Sequence, residues 1–177
     1  MQVRRKIDQT GRSAGPYSGR SGRHFRPPPG EPWIWLTLDL LSSPARRAMS
    51  INARAIFDFL LIEHQSHAAL ENGRLKAPYD QLEAFGVSRR LIRQALAELH
   101  AAGLIRCTRP GGMIGGDRVP AMYRLTMYSA DGEPATNEWR SATAEAVIEA
   151  RRTLADDAKR RRTRRLAKQN HNADAHS

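Results

Sequence analysis

FGVSRRLIRQALAELHAAGLI, residues 85–105, decides the fold. Leu91, Ile92, Ala95, Leu96 and Leu99 fall on one side when the stretch is turned at about 100° per residue. Gly86 stands where a left-handed terminator would end a preceding helix. Ser88 is a strong N-capping residue for a new one. Gly103 closes that second helix, so the spacing predicts a helix over 88–102. Pro78 suits the first turn of the earlier helix, with Tyr79, Leu82 and Phe85 on one face. Two helices separated only by Val87 make a helix-turn-helix.

The flanks extend this pattern. Downstream, Leu104–Arg109 reads as a strand, Pro110–Asp117 as a glycine-rich turn and Met122–Tyr128 as a second strand. Upstream, Pro32–Leu36 is an apolar entry segment in which Trp33 and Trp35 are expected to pack. Thr37, Ser43 (before Pro44) and Ser50 are three successive capping residues. From Ile51 to His64 the positions Ala53, Ile56, Phe57, Leu60 and Leu61 recur at helical spacing. Phe59 and Ile62 widen the stripe, so burial on most sides is expected. Glu71-Asn72-Gly73 is a turn, and Leu75–Ala77 a short strand. The expected class is mainly α with a small β-hairpin: a winged helix-turn-helix.

The stretch from Trp33 to Thr126 resembles the winged helix-turn-helix proteins of bacterial plasmids, phages and integrative elements. The resemblance is carried by SPARRAMS (43–50), IEHQSH (62–67), ENGRL (71–75), residues 85–105 and the closing YRLT (123–126). Ala77 departs from the pattern, which has a threonine or serine there. The resemblance implies DNA binding, in a group that joins regulators with replication-initiator-like proteins.

Charge divides the chain. Its 177 residues carry 29 Lys plus Arg against 18 Asp plus Glu, a net charge of +11. A polyanion, most simply nucleic acid, is the partner this implies. Residues 1–30, rich in Gly, Ser and Arg and ending in Pro27-Pro28-Pro29-Gly30, read as a disordered basic arm. Residues 31–130 hold nearly all the large apolar side chains and form the DNA-binding domain. Residues 131–168 read as a linker and a basic helix from about Ser141, where Ser141 is the candidate cap. Residues 169–177 read as a disordered tail. Within the basic helix, KRRRTRRLAK (159–168) has seven basic residues in ten. Two roles fit that helix: a homodimer contact, or an element ordered on DNA.

The chemistry follows from the helix over 88–102. Opposite its apolar side stand Arg90, Arg93, Gln94 and Ala97. Arginine pairs bidentately with guanine and glutamine with adenine, so Arg90, Arg93 and Gln94 are expected to read base edges in the major groove. Ser88, with free N–H groups near a helix start, and Arg89 are expected on the DNA backbone, together with Lys76 and Tyr79. The wing, 106–124, brings Arg106, Arg109 and Arg118 to the backbone or minor groove. From the arm, Arg20, Arg23 and Arg26 add a further reach.

Other chemistries lack their residues. A single cysteine, Cys107, excludes an internal disulfide and reads as a small apolar filler. His64 and His67 have no further partners for a metal. No phosphate loop, nucleophile elbow or membrane-length apolar run occurs. Neither enzyme nor cofactor nor membrane is expected. The sequence predicts a cytoplasmic, nucleoid-associated regulator of transcription that binds double-stranded DNA, acting as a repressor. The alternative is a replication initiator or accessory protein of a mobile element that binds origin repeats.

Overall fold

The computed structural model describes residues 32–174, and the compact unit starts at Ile34. Arg20, Arg23 and Arg26 lie outside the described residues. Three short helical segments open the unit: α1 (Leu38–Ser42), α2 (Pro44–Ala48) and α3 (Ile51–Ser66). Each begins at a hydroxyl cap. Thr37, Ser43 and Ser50 accept the N–H of Leu40, Arg46 and Ala53 respectively, satisfying donors that a helix start leaves free. Strand β1 (Leu75–Lys76) follows, then α4 (Tyr79–Ala84), a 3-10 turn at Arg89–Leu91 and α5 (Ile92–Ala101). Strands β2 (Ile105–Arg109), β3 (Gly112–Ile114), β4 (Asp117–Val119) and β5 (Met122–Leu125) come next. A second 3-10 turn, Glu138–Arg140, leads into the long α6 (Ala144–Asp174).

The protein is therefore mainly α with a small antiparallel sheet ordered β1-β5-β2. Ile105 faces Leu125 and Leu75 faces Tyr123. The link between β2 and β5 is itself structured. β3 and β4 pair as a separate hairpin, with Met113 opposite Arg118, so the expected plain turn carries two extra strands. A register shift between Cys107 and Arg109 separates the two tiers. Cys107 is exposed, not the expected apolar filler.

One core joins all these elements. Phe57, Ile56 and Leu60 of α3 pack with Leu82, Ile92, Leu99, Leu104, Ile105 and Leu125, each with at most 1% of its surface exposed. Burial on this scale is the main stabilising term. Ile51 and Ile62 remain largely exposed, so α3 buries one face and not most of its circumference. Trp35 is also half exposed; its ring meets Tyr128 edge-on, 5.9 Å between centroids.

Buried polar groups supply the joints. Asn72 gives its side-chain N–H groups to the carbonyls of Leu125, Tyr128 and Ser129, and its Oδ1 accepts the Leu125 N–H. That fixes the turn after α3 to the end of β5. Thr126 donates to the Gly103 carbonyl at 2.6 Å, tying the end of α5 to the same corner. Gly103 itself must be glycine. Its φ is +63°, and a Cβ there would lie 2.7 Å from the Trp139 nitrogen.

The C-terminal helix departs most from expectation. It starts at Ala144, not Ser141, and Thr143 accepts the Ala146 N–H while Ser141 donates to the Glu138 carbonyl. Its first turns do not stand apart from the domain. Val147 is fully buried, and Arg151 crosses to the fully buried Glu98 of α5 at 2.9 Å. The Arg151 guanidinium also donates to the Ala48 carbonyl, and the same Glu98 oxygen accepts the Ser50 N–H at 2.7 Å.

Two stability predictions follow from these contacts. Glu98→Ala leaves Arg151 and the Ser50 amide without their acceptor, and should cost about 3 kcal/mol in urea unfolding. Arg151→Met should cost at least as much, because it strands a carboxylate with no exposed surface, whereas Arg151 is 34% exposed and can reach water when Glu98 is removed. Acid sensitivity is the second. Burial lowers the His64 imidazole below its usual 6.5, and burial with the nearby Arg106 charge lowers His100. The unfolded chain therefore takes up protons first as pH falls. Stability should be full above about pH 6.5 and decline below it. His64→Phe, which retains the stack on Tyr128, should flatten that decline in thermal melts between pH 7.5 and 5.

Candidate nucleic-acid interface

The geometry at the start of α5 begins with Gly86. Its φ of +97° lets the chain reverse after α4, and Val87 then plugs into the core with 1% exposure. Ser88 follows, but its side chain makes no capping hydrogen bond. Its N–H donates to the Asn52 Oδ1 of α3 at 3.2 Å. That amide is occupied inside the chain, which corrects the expectation that Ser88 offers it to a phosphate. The helix over 88–102 accordingly begins as the 3-10 turn and becomes α-helical only at Ile92, where the apolar anchors start.

From that anchored start, the predicted face emerges. Ile92, Ala95, Leu96 and Leu99 are buried; Arg90 and Arg93 are exposed, and Gln94 and Ala97 are half-buried. Among the described residues, neither Arg90 nor Arg93 has an acidic partner. Glu98 is the one position on this helix that periodicity misassigns: a charged residue, it has no exposed surface because α6 covers it.

Two expected backbone contacts are engaged elsewhere. The Arg89 guanidinium reaches back to α4, where it donates to Asp80 and, at 2.9 Å, to Glu83. Those bonds raise its pKa further, with Asp80 the larger cause. Arg106 likewise pairs through both Nε and its terminal nitrogen with Glu138, just before α6. That contact holds the Glu138 carboxyl below its ordinary range. Both arginines act first as internal clasps, α4 to the α5 start and β2 to the segment before α6. Arg109 is exposed with Lys76 and Tyr79, whereas Arg118 is placed here by its backbone register opposite Met113.

Between α4 and the β3–β4 hairpin lies an open groove of about 880 Å³. Tyr79, Asp80, Arg89, Met113, Pro120 and Tyr123 line it. Tyr123 is nearly buried, and that burial pushes its phenol up to about 12. Asp80 is the acidic side chain of the lining. Asn52, Glu98, Asn72 and Arg151 were missed by sequence reasoning; each acts through a long-range contact that no local spacing announces.

Among the described residues, no group of three His, Cys, Asp or Glu side chains could hold a metal, and no helix is long and apolar enough to cross a membrane. No protein-family model matches the chain, and neither a curated protein nor a solved structure matches it.

The Arg89 clasp is testable directly. Asp80→Asn combined with Glu83→Gln releases the guanidinium and removes two negative charges beside the groove. Elution from heparin should move to higher salt, as each additional cation–phosphate or cation–sulfate contact steepens the salt dependence. Unchanged elution would place this corner away from any polyanion.

Proposed function

We propose that the chain is a winged helix-turn-helix protein that binds double-stranded DNA in a sequence-specific way and regulates transcription by occupying its sites, as a repressor does. In this reading α4 and α5 are the helix-turn-helix, β2 to β5 form the wing, and α5 is the recognition helix. The observation that carries it is the α5 face. Arg90 and Arg93 stand exposed beside Gln94, without an acidic partner among the described residues, on a helix whose other side is anchored in the core. Unpaired arginines keep their donors for a bidentate acceptor such as guanine O6 and N7. The half-buried Ala97 has no bulk to hold the helix off a groove floor. Arg109 at the end of β2 adds a phosphate contact alongside. The resemblance to proteins of plasmids, phages and integrative elements supports the same reading and extends it to mobile DNA.

Selection from random duplexes followed by fluorescence anisotropy tests the assignment. Arg90→Ala and Arg93→Ala should each weaken the selected site about tenfold or more while barely affecting a scrambled duplex. Arg109→Ala should weaken both alike. Equal losses on both duplexes for the α5 variants would remove α5 from base reading. Mapping bound sites in the cell then separates the regulator, with sites at promoters, from a replication initiator, with repeats at one origin.

A further inference from the structure

We propose that the cationic half of α6 is a second duplex-binding element, held rigidly so that it meets the DNA phosphates on one fixed side of the α5 site. The proposal rests on the reading of α5 given above. It starts from the direction of α6. Gly103, just past the end of α5, abuts the backbone of Glu138 and Trp139, the turn that leads into α6. Further along α6, Arg151 pairs with Glu98, which lies earlier in α5. Moving forward on α6 therefore means moving backward on α5, and the two helices run antiparallel.

Their lengths then differ in a useful way. Ahead of Glu98, α5 has only Ile92–Ala97, about 9 Å at 1.5 Å per residue. Beyond Arg151, α6 continues to Asp174, about 35 Å. With the axes aligned, about residue 157 of α6 comes level with Ile92, the first α-helical residue of α5. The cationic run begins at Lys159. The N-terminal end of the second helix is the end that enters the groove in helix-turn-helix docking. The run is thus delivered on the duplex side.

The run itself fits that partner. Lys159, Arg160, Arg161, Arg162, Arg164 and Arg165 are all exposed, and none has an acidic partner among the described residues. At about 100° per residue the six charges spread around most of the axis, with Thr163 and Ala167 in the arc between Lys159 and Arg160. A second copy of the run would be repelled. A helix so densely cationic is matched by a groove walled by phosphates on both strands. Residues 159–168 span about 15 Å, or about four to five base pairs.

The test uses the full chain and three duplexes: the selected site alone, and the site extended by ten base pairs on the left or on the right. The wild type should bind one extended duplex about tenfold or more tightly than the other. A variant with Arg160, Arg161, Arg162, Arg164 and Arg165 all changed to Gln retains helix propensity. It should lose that preference, and its slope of log affinity against log salt should fall by about three. Inserting Gly-Gly-Ser-Gly after Asp157 conserves the charge but breaks the rigid rod. It should abolish the one-sidedness while leaving most of the salt slope. Equal gains on both extensions, or an insertion without effect, would mean a floating cationic tail and overturn the proposal. Tighter binding to an RNA duplex of the same sequence would overturn it as well. If Arg90→Ala and Arg93→Ala lose binding while the five-Gln variant does not, the α5 reading stands and this one falls. If neither set changes binding, both fall.

Discussion

A carboxylate with no exposed surface sits where four helices meet, and the architecture depends on how its Oε2 is held. Glu98 takes the N–H of Ser50 at the start of α3 and the guanidinium of Arg151 from α6, and Arg151 in turn holds the last carbonyl of α2. Removing a carboxylate from water costs several kcal/mol, which only charge-assisted hydrogen bonds of this kind offset. An apolar residue at position 98 could pack as well but would accept many orientations of its neighbours. The carboxylate accepts few. It sets where α3 begins, which way α5 faces and where α6 lies, so the exposed arginine side of α5 is fixed by a buried contact on its flank.

Local patterns in the sequence were enough for most elements, though not for the β3–β4 hairpin or the start of α6. The caps at Thr37, Ser43 and Ser50 are i to i+3 contacts, and the reversal at Gly86 needs only a left-handed residue, so short-range reading finds them. The apolar side of α5 is equally legible, because periodicity reports burial against one core. What escaped is long-range and polar. Asn52 and Ser88 are 36 positions apart, and Arg151 and Glu98 are 53 apart. Nothing in either segment marks the other. Ser88 looked like a cap for the same reason: its residue type suits the role, but Asn52 takes its amide from outside and the 3-10 start leaves no place for a side-chain acceptor. Within the candidate interface, residue type showed which side chains are cationic. It could not show which are already paired, and Arg89 and Arg106 are.

That pairing reshapes the charge. Read as a list, the basic residues around the helix-turn-helix form one continuous patch. In the fold, Asp80 and Glu83 offset Arg89, and Glu138 offsets Arg106. Among the described residues, Arg90 and Arg93 on α5, Lys76 in β1, Arg109 at the end of β2 and the run on α6 are exposed cations outside these ion pairs. Field strength is thereby concentrated at a few points rather than spread, and contacts at few points are those that discriminate between partners. The paired arginines also stiffen the two junctions that present the site, α4 to α5 and β2 to the approach of α6.

The same accounting bears on whether two copies associate through α6. A coiled-coil seam needs apolar residues repeating along one face. In the first half of α6 that stripe is engaged internally: Val147 is fully buried in the chain's own core, and Arg151 is committed to Glu98. In the second half the charges cover most of the circumference, so two copies of the run would repel. The helix that looked from sequence like a dimer contact is, in its first turns, part of the domain. Beyond them it is a cationic rod whose direction the domain controls. A symmetric pair of such rods would repel, whereas a single rod beside a single α5 has a left and a right. The proposed complex is accordingly polar, one copy on an asymmetric site, with its orientation set by the Glu98–Arg151 clasp rather than by a two-fold axis.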